Sequence, residues 1–61
     1  MINQIYVDKL ISLIRQGLIT IDDIKVQEYK DAAINAFRQE VVDGKITAEQ
    51  YKQYTGQDYA A

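Results

Sequence analysis

The sequence contains no cysteine, no histidine and no proline, and only three of its 61 residues are glycine. Without cysteine there are no disulfides and no thiolate zinc sites. Without histidine the familiar nucleophile–base pairs of hydrolases are excluded, as are imidazole ligands for metals. A chain of this length buries only about 60% of the surface that it exposes when unfolded. We therefore expect its stability to come from close helix packing or from a partner chain.

Long apolar runs and long runs of like charge are also missing. No apolar run exceeds three residues, so we expect neither a signal peptide nor a membrane-spanning helix. Seven basic and nine acidic residues give a net charge of −2, which does not favour binding to nucleic acid. These features predict a protein that is cytoplasmic when synthesised.

The hydrophobic periodicity predicts an all-α fold, a small bundle of about three helices that forms one domain over residues 1–61. The predicted helices cover residues 2–16, 21–43 and 48–54. We expect a break near residues 26–27, because Ile21 and Ile24 point to a different side from Tyr29, Ala33 and Phe37. The tail over residues 56–61 is expected to fray unless Tyr59 is docked.

The first predicted helix has a broad apolar arc, made of Ile2, Tyr6, Val7, Leu10, Ile11, Leu13 and Ile14. Two interpretations remain open. In one it is a central core helix, covered by the rest of its own chain. In the other it is also covered by another chain, which would be a second copy or a different protein. Ile5 lies on the polar side of the helix and is a candidate interface residue.

The phrase GLITIDDI is nearly repeated as GKITAEQY. In each copy a glycine ends one helix, a threonine caps the next, and carboxylates occupy the new first turn. Gln50, at the third helical position, predicts a capping box with Thr47. The repeat is therefore interpreted as two uses of the same helix-restart signal. The predicted helix caps are Gly17, Thr20, Gly44, Thr47 and Gly56.

Five tyrosines are present, and Tyr51, Tyr54 and Tyr59 fall within the last eleven residues. One interpretation is a small core, in which the short last helix folds back over the others. The alternative is a binding edge, because tyrosine joins an apolar ring to a polar tip. Under that alternative, all three are candidate interface residues. Tyr6 and Tyr29 lie on or near helical stripes, so we expect them in the core.

No residue pattern indicates catalysis, a cofactor or a metal. Asp22 and Asp23 are the only adjacent carboxylates, and the dipole of the following helix explains both. A helix-turn-helix can be read into residues 21–37, with Lys30 and Arg38 as the basic side chains. The acidic balance does not favour DNA for this segment. We expect a protein that is not an enzyme.

The segment DGKITAEQYKQYTGQDY, Asp43–Tyr59, resembles the XkdX-like small proteins of phages and prophages of Gram-positive bacteria. Their pattern is roughly G-x-I-T-x-E-[EQ]-Y-x-x-I-T-G-x-[DE]-Y, and Tyr54 departs from it where isoleucine is usual. The matching residues are Gly44, Ile46, Thr47, Glu49, Gln50, Tyr51, Thr55, Gly56, Asp58 and Tyr59. The resemblance implies a gene in the tail or baseplate region and no enzymatic activity. It makes the chain itself or a phage structural protein the expected partner, and a small regulator or adaptor that binds a host protein remains the alternative.

Overall fold

Between residues 2 and 59, the range that the computed structural model describes, the chain forms three α-helices and one short 3₁₀ helix. Helix α1 spans Gln4–Arg15, the 3₁₀ helix Ile21–Asp23, α2 Gln27–Val42 and α3 Ala48–Thr55. No strand occurs within this range. The expected all-α fold is therefore confirmed.

Helix α1 begins two residues later than predicted, because Asn3 is its N-cap. The Asn3 side-chain oxygen accepts hydrogen bonds from the backbone N–H groups of Ile5, at 3.0 Å, and Tyr6, at 3.3 Å. Asparagine is among the residues favoured at this position for that reason. The backbone N–H of Asn3 also donates to the Tyr29 hydroxyl at 3.2 Å. The start of α1 is thus tied to α2.

Gly17 terminates helix α1, as predicted: the helix ends at Arg15, and Gly17 follows its C-cap Gln16. The N–H of Gly17 donates to the Ile14 carbonyl and the N–H of Leu18 donates to the Leu13 carbonyl, both at 3.0 Å. This pair of bonds is the Schellman motif, which requires a left-handed residue after the helix. Gly17 supplies it with a φ of 78°, and Gly44 does the same after α2 with a φ of 77°. Both predicted helix stops are confirmed.

The chain leaves the helical conformation soon after its first restart. The backbone N–H of Thr20 donates to the Asp23 carboxylate at 2.9 Å, and this bond caps the start of the 3₁₀ helix. Ile24 and Val26 are then extended, with ψ angles of 116° and 119°. The predicted break near residues 26–27 is confirmed. It resets the helical phase, so that the buried pair of Ile21 and Ile24 and the later stripe on α2 both face one core.

The second restart opens a true α-helix. The Thr47 hydroxyl accepts from the Gln50 N–H at 3.1 Å, and the Gln50 side-chain oxygen accepts from the Thr47 N–H at 2.8 Å. The predicted capping box is therefore present. Ile46 before the cap and Tyr51 after it are both buried in the core, where a hydrophobic staple would place them.

Helix α2 lies at the centre of the fold and contacts α1, the 3₁₀ helix and α3. Ala33 and Phe37, one turn apart on α2, are fully buried. They pack in a single cluster with residues of all the other elements. The remaining buried members of that cluster are Leu10, Ile14, Ile21, Ile24, Ile46 and Tyr51.

Substitution of the two capping threonines tests the restart signal. Thr47→Ala removes the acceptor for the Gln50 N–H, so we expect the free energy of unfolding to fall by about 0.5–2 kcal/mol. We expect a loss in the same range for Thr20→Ala, measured by urea denaturation. Thr47→Ser keeps the hydroxyl and serves as the control. Unchanged denaturation midpoints in both alanine variants would contradict the assignment.

Candidate contact surface

The late tyrosines form part of the core and do not make up an exposed edge. Tyr51 is only 1% exposed, and its burial corrects the proposal that it is an interface residue. Tyr54 is half-buried, and its ring stacks on that of Phe37 with the centroids 5.1 Å apart. Tyr59 is half-buried too, and its ring meets that of Tyr51 edge to face at 5.3 Å. The small-core interpretation describes this cluster.

The TGQDY ending docks the tail. The Thr55 hydroxyl donates to the Tyr51 carbonyl at 2.8 Å and accepts from the Gln57 N–H at 3.2 Å. An ion pair of 3.0 Å joins the Lys52 ammonium to the Asp58 carboxylate. Residues 56–59 are therefore held by specific contacts and are not a frayed tail, whereas residues 60–61 lie outside the described range.

Arg38 lies beside this tail. Its guanidinium is 5.1 Å from the ring centroid of Tyr59 and 6.0 Å from that of Tyr51. A cation over an aromatic face is attracted by the ring electrons. The side chain that a helix-turn-helix would offer to phosphate thus faces aromatic rings of its own chain.

Arg15 connects all three described helices. Its guanidinium forms an ion pair with the Glu40 carboxylate of α2. It also lies over the ring of Phe37, 5.3 Å from the centroid, and over that of Tyr54 on α3, at 6.0 Å. The hydrogen bond to Glu40 raises the pKa of Arg15 above its ordinary value. The guanidinium therefore stays charged throughout the pH range in which proteins are folded.

A groove of about 330 Å³, lined by both polar and apolar groups, lies between the end of α1 and the end of α3. Arg15, Thr20, Asp22 and Gln53 supply polar groups to its wall. Arg15 is paired with Glu40, and the carboxylate of Asp22 would repel an anion. The C-terminal ends of the two helices also disfavour negative charge. The groove therefore has no built anion site.

A second groove, of about 310 Å³, is mainly apolar and lies between α1 and the segment that joins the 3₁₀ helix to α2. Tyr6 and Leu13 form its wall on α1, and Val26 and Tyr29 lie on the opposite side. Tyr6 is 48% exposed and Val26 52% exposed. The ring of Tyr6 meets that of Tyr29 edge to face at 5.0 Å. We call this the apolar groove.

Ile5 lies next to Tyr6 on α1 and is 81% exposed. This exposure agrees with the polar-side position inferred from the sequence. Ile5, Lys9 and Leu13 recur every four residues, so they follow one side of the helix towards the groove. We call Ile5, Tyr6, Leu13 and Val26 together the apolar surface.

Sequence reasoning missed half of this surface. Tyr6 was expected in the core, but only one side of the broad arc is buried, at Val7, Leu10 and Ile14. The other side remains partly exposed because α2 covers α1 from one direction. Val26 could have been found from the predicted break, since an extended residue between two helices cannot follow the apolar stripe of either one.

Within the part of the chain that the structure describes, no group of three or more carboxylates is placed to hold a metal ion. Among residues 2–59, no helix has both the length and the hydropathy needed to span a bilayer.

Comparison with protein-family models, with curated proteins and with solved structures yields no match to this chain.

The docked tail can be tested at Tyr59. Tyr59→Ala removes the ring that contacts Tyr51, so we expect the free energy of unfolding to fall by about 1 kcal/mol, as for other aromatic pairs. Tyr59→Phe keeps the ring and should remain close to the wild type. Thermal unfolding followed by circular dichroism measures both. Equal stability of the alanine variant and the wild type would show that the tail does not support the core.

A double-mutant cycle with Arg15→Met and Glu40→Gln tests the ion pair. The side chains are 37% and 21% exposed, so we expect a coupling energy of about 0.5–1 kcal/mol from urea denaturation. Lys52→Met with Asp58→Asn is the matched control, because that pair is 63% and 83% exposed and should couple near zero. Equal coupling in the two cycles would contradict the role given to Arg15.

Proposed function

We propose that this protein is a non-enzymatic phage or prophage protein that acts through protein–protein contact. Its role is that of a minor virion component, in the tail or baseplate, or of an assembly factor. The contact role is supported by the apolar surface, above all by Ile5, whose side chain is 81% exposed. Exposed apolar groups arranged together are typical of sites where another protein binds.

The phage context is supported by the resemblance of Asp43–Tyr59 to the XkdX-like proteins. Within this segment the residues of the pattern serve the fold: Thr47 and Gln50 cap α3, and Thr55 and Tyr59 dock the tail. The segment therefore supports an origin and a stable scaffold. The apolar surface, which is proposed to bind a partner, is formed by residues in the N-terminal half of the sequence.

Two rival functions are weaker. A small regulator or adaptor that binds a host protein could use the same apolar surface, and expression early in infection would favour it over a virion component. A DNA-binding regulator is less favoured, because Arg38 faces Tyr51 and Tyr59 of its own chain.

The test compares particle incorporation for two matched variants. Ile5→Asp places a carboxylate on the apolar surface, at the second residue of α1, where the helix dipole favours negative charge. Val42→Lys is the control, because Val42 is 68% exposed at the end of α2, where positive charge is favoured. Both variants should fold, which circular dichroism verifies.

We expect the wild type and Val42→Lys in purified particles or assembly intermediates, quantified by mass spectrometry, and at least a tenfold loss of Ile5→Asp. Absence of the wild type from particles and intermediates would overturn the virion role. Equal incorporation of Ile5→Asp would show that the apolar surface does not carry the contact.

A further inference from the structure

We propose that the occupant of the apolar surface is a second copy of this chain, bound through a two-fold interface. This inference rests on the proposed function, since it names the partner of the same surface. It also bears on the question raised by the broad arc of α1. Val7, Leu10 and Ile14 are covered within the chain, while Tyr6 of the arc is 48% exposed and Ile5 beside it is 81% exposed.

The shape of the surface suits a copy of itself. In a two-fold interface the same patch serves both partners, so it must carry a projection as well as a recess. Ile5 is the projection, with most of its side chain exposed, and the apolar groove of about 310 Å³ is the recess. Ile5 lies on α1, and the same helix forms one wall of the groove through Tyr6 and Leu13.

The charges at the groove are self-complementary. Asp23 and Lys25 both line it and carry opposite charges. A two-fold axis passing between them places each lysine beside the aspartate of the other copy and creates two equivalent ion pairs. The chain as a whole carries −2, yet this rim is neutral, so two copies can approach here without net repulsion.

A two-fold contact of the smallest stable size would cover a modest part of the total exposed surface. The smallest stable interfaces bury about 600 Å² on each partner. The chain exposes 4325 Å² in total, so a copy would cover about one seventh of it. Interfaces at this lower limit are typical of weak or transient contacts.

Sedimentation equilibrium of the full chain over a wide concentration range tests the inference. We expect a monomer–dimer equilibrium for the wild type and for Val42→Lys. For Ile5→Asp we expect the dissociation constant to rise at least tenfold, because a carboxylate would be buried against apolar groups. Lys25→Glu should weaken the dimer as well, since it places a glutamate of one copy beside Asp23 of the other at both of the proposed ion pairs.

Other outcomes separate this inference from the proposed function. A wild type that stays monomeric, while Ile5→Asp still loses particle incorporation, overturns the dimer and leaves the contact role with another partner. Dimers that Ile5→Asp does not weaken would place the interface elsewhere and overturn the inference. Monomers together with normal incorporation of Ile5→Asp would remove both proposals. Trimers or open-ended assemblies would contradict two-fold pairing.

Discussion

The fully buried ring of Phe37 on α2 meets both of the other helices. Tyr54 of α3 stacks on it, and the guanidinium of Arg15 lies over it from the end of α1. Arg15 also pairs with Glu40, near the end of α2. The part of α2 from Phe37 to Glu40 therefore contacts both of the other α-helices. The short α3 is held in place by this meeting point and by the buried Tyr51. The docking of the tail and the position of the groove between the ends of α1 and α3 then follow from where α3 lies.

The helix stops, caps and break were predictable because each depends on residues that are close together in sequence. The glycine stops at Gly17 and Gly44, the cap at Thr47 and the break after the 3₁₀ helix each follow from a local conformational preference. The start of α1 was placed two residues too early because the apolar arc begins at Ile2, whereas Asn3 is the N-cap. A capping residue is recognised by position, and position was uncertain by two residues.

The candidate site was less predictable, because burial depends on how helices meet. The two tyrosine groups show this clearly. Tyr51 and Tyr6 have the same side chain and both lie on helical apolar stripes, yet one is enclosed and the other is half exposed. The difference arises from α2, which is long enough to cover α3 and one side of α1 but not the other side. No property of the individual residues specifies this.

The division of labour along the chain follows from that geometry. In the C-terminal third, which carries the proposed resemblance, the residues of the pattern cap α3 and dock the tail. The surface proposed to bind a partner is built from the N-terminal helix and the break before α2. The break contributes to both parts, since it brings Ile24 into the core and leaves Val26 at the groove.

The two glycine stops have a further meaning for how the sequence can vary. A Cβ atom added at Gly17 or Gly44 would meet no neighbouring atom within 4 Å. Space is therefore not what selects glycine there. Glycine is favoured there by the backbone conformation, because the left-handed region is costly for an L-residue, whereas a D-residue adopts it readily. At these two positions the handedness of the backbone, and not the volume of the side chain, limits which residues the chain can accept.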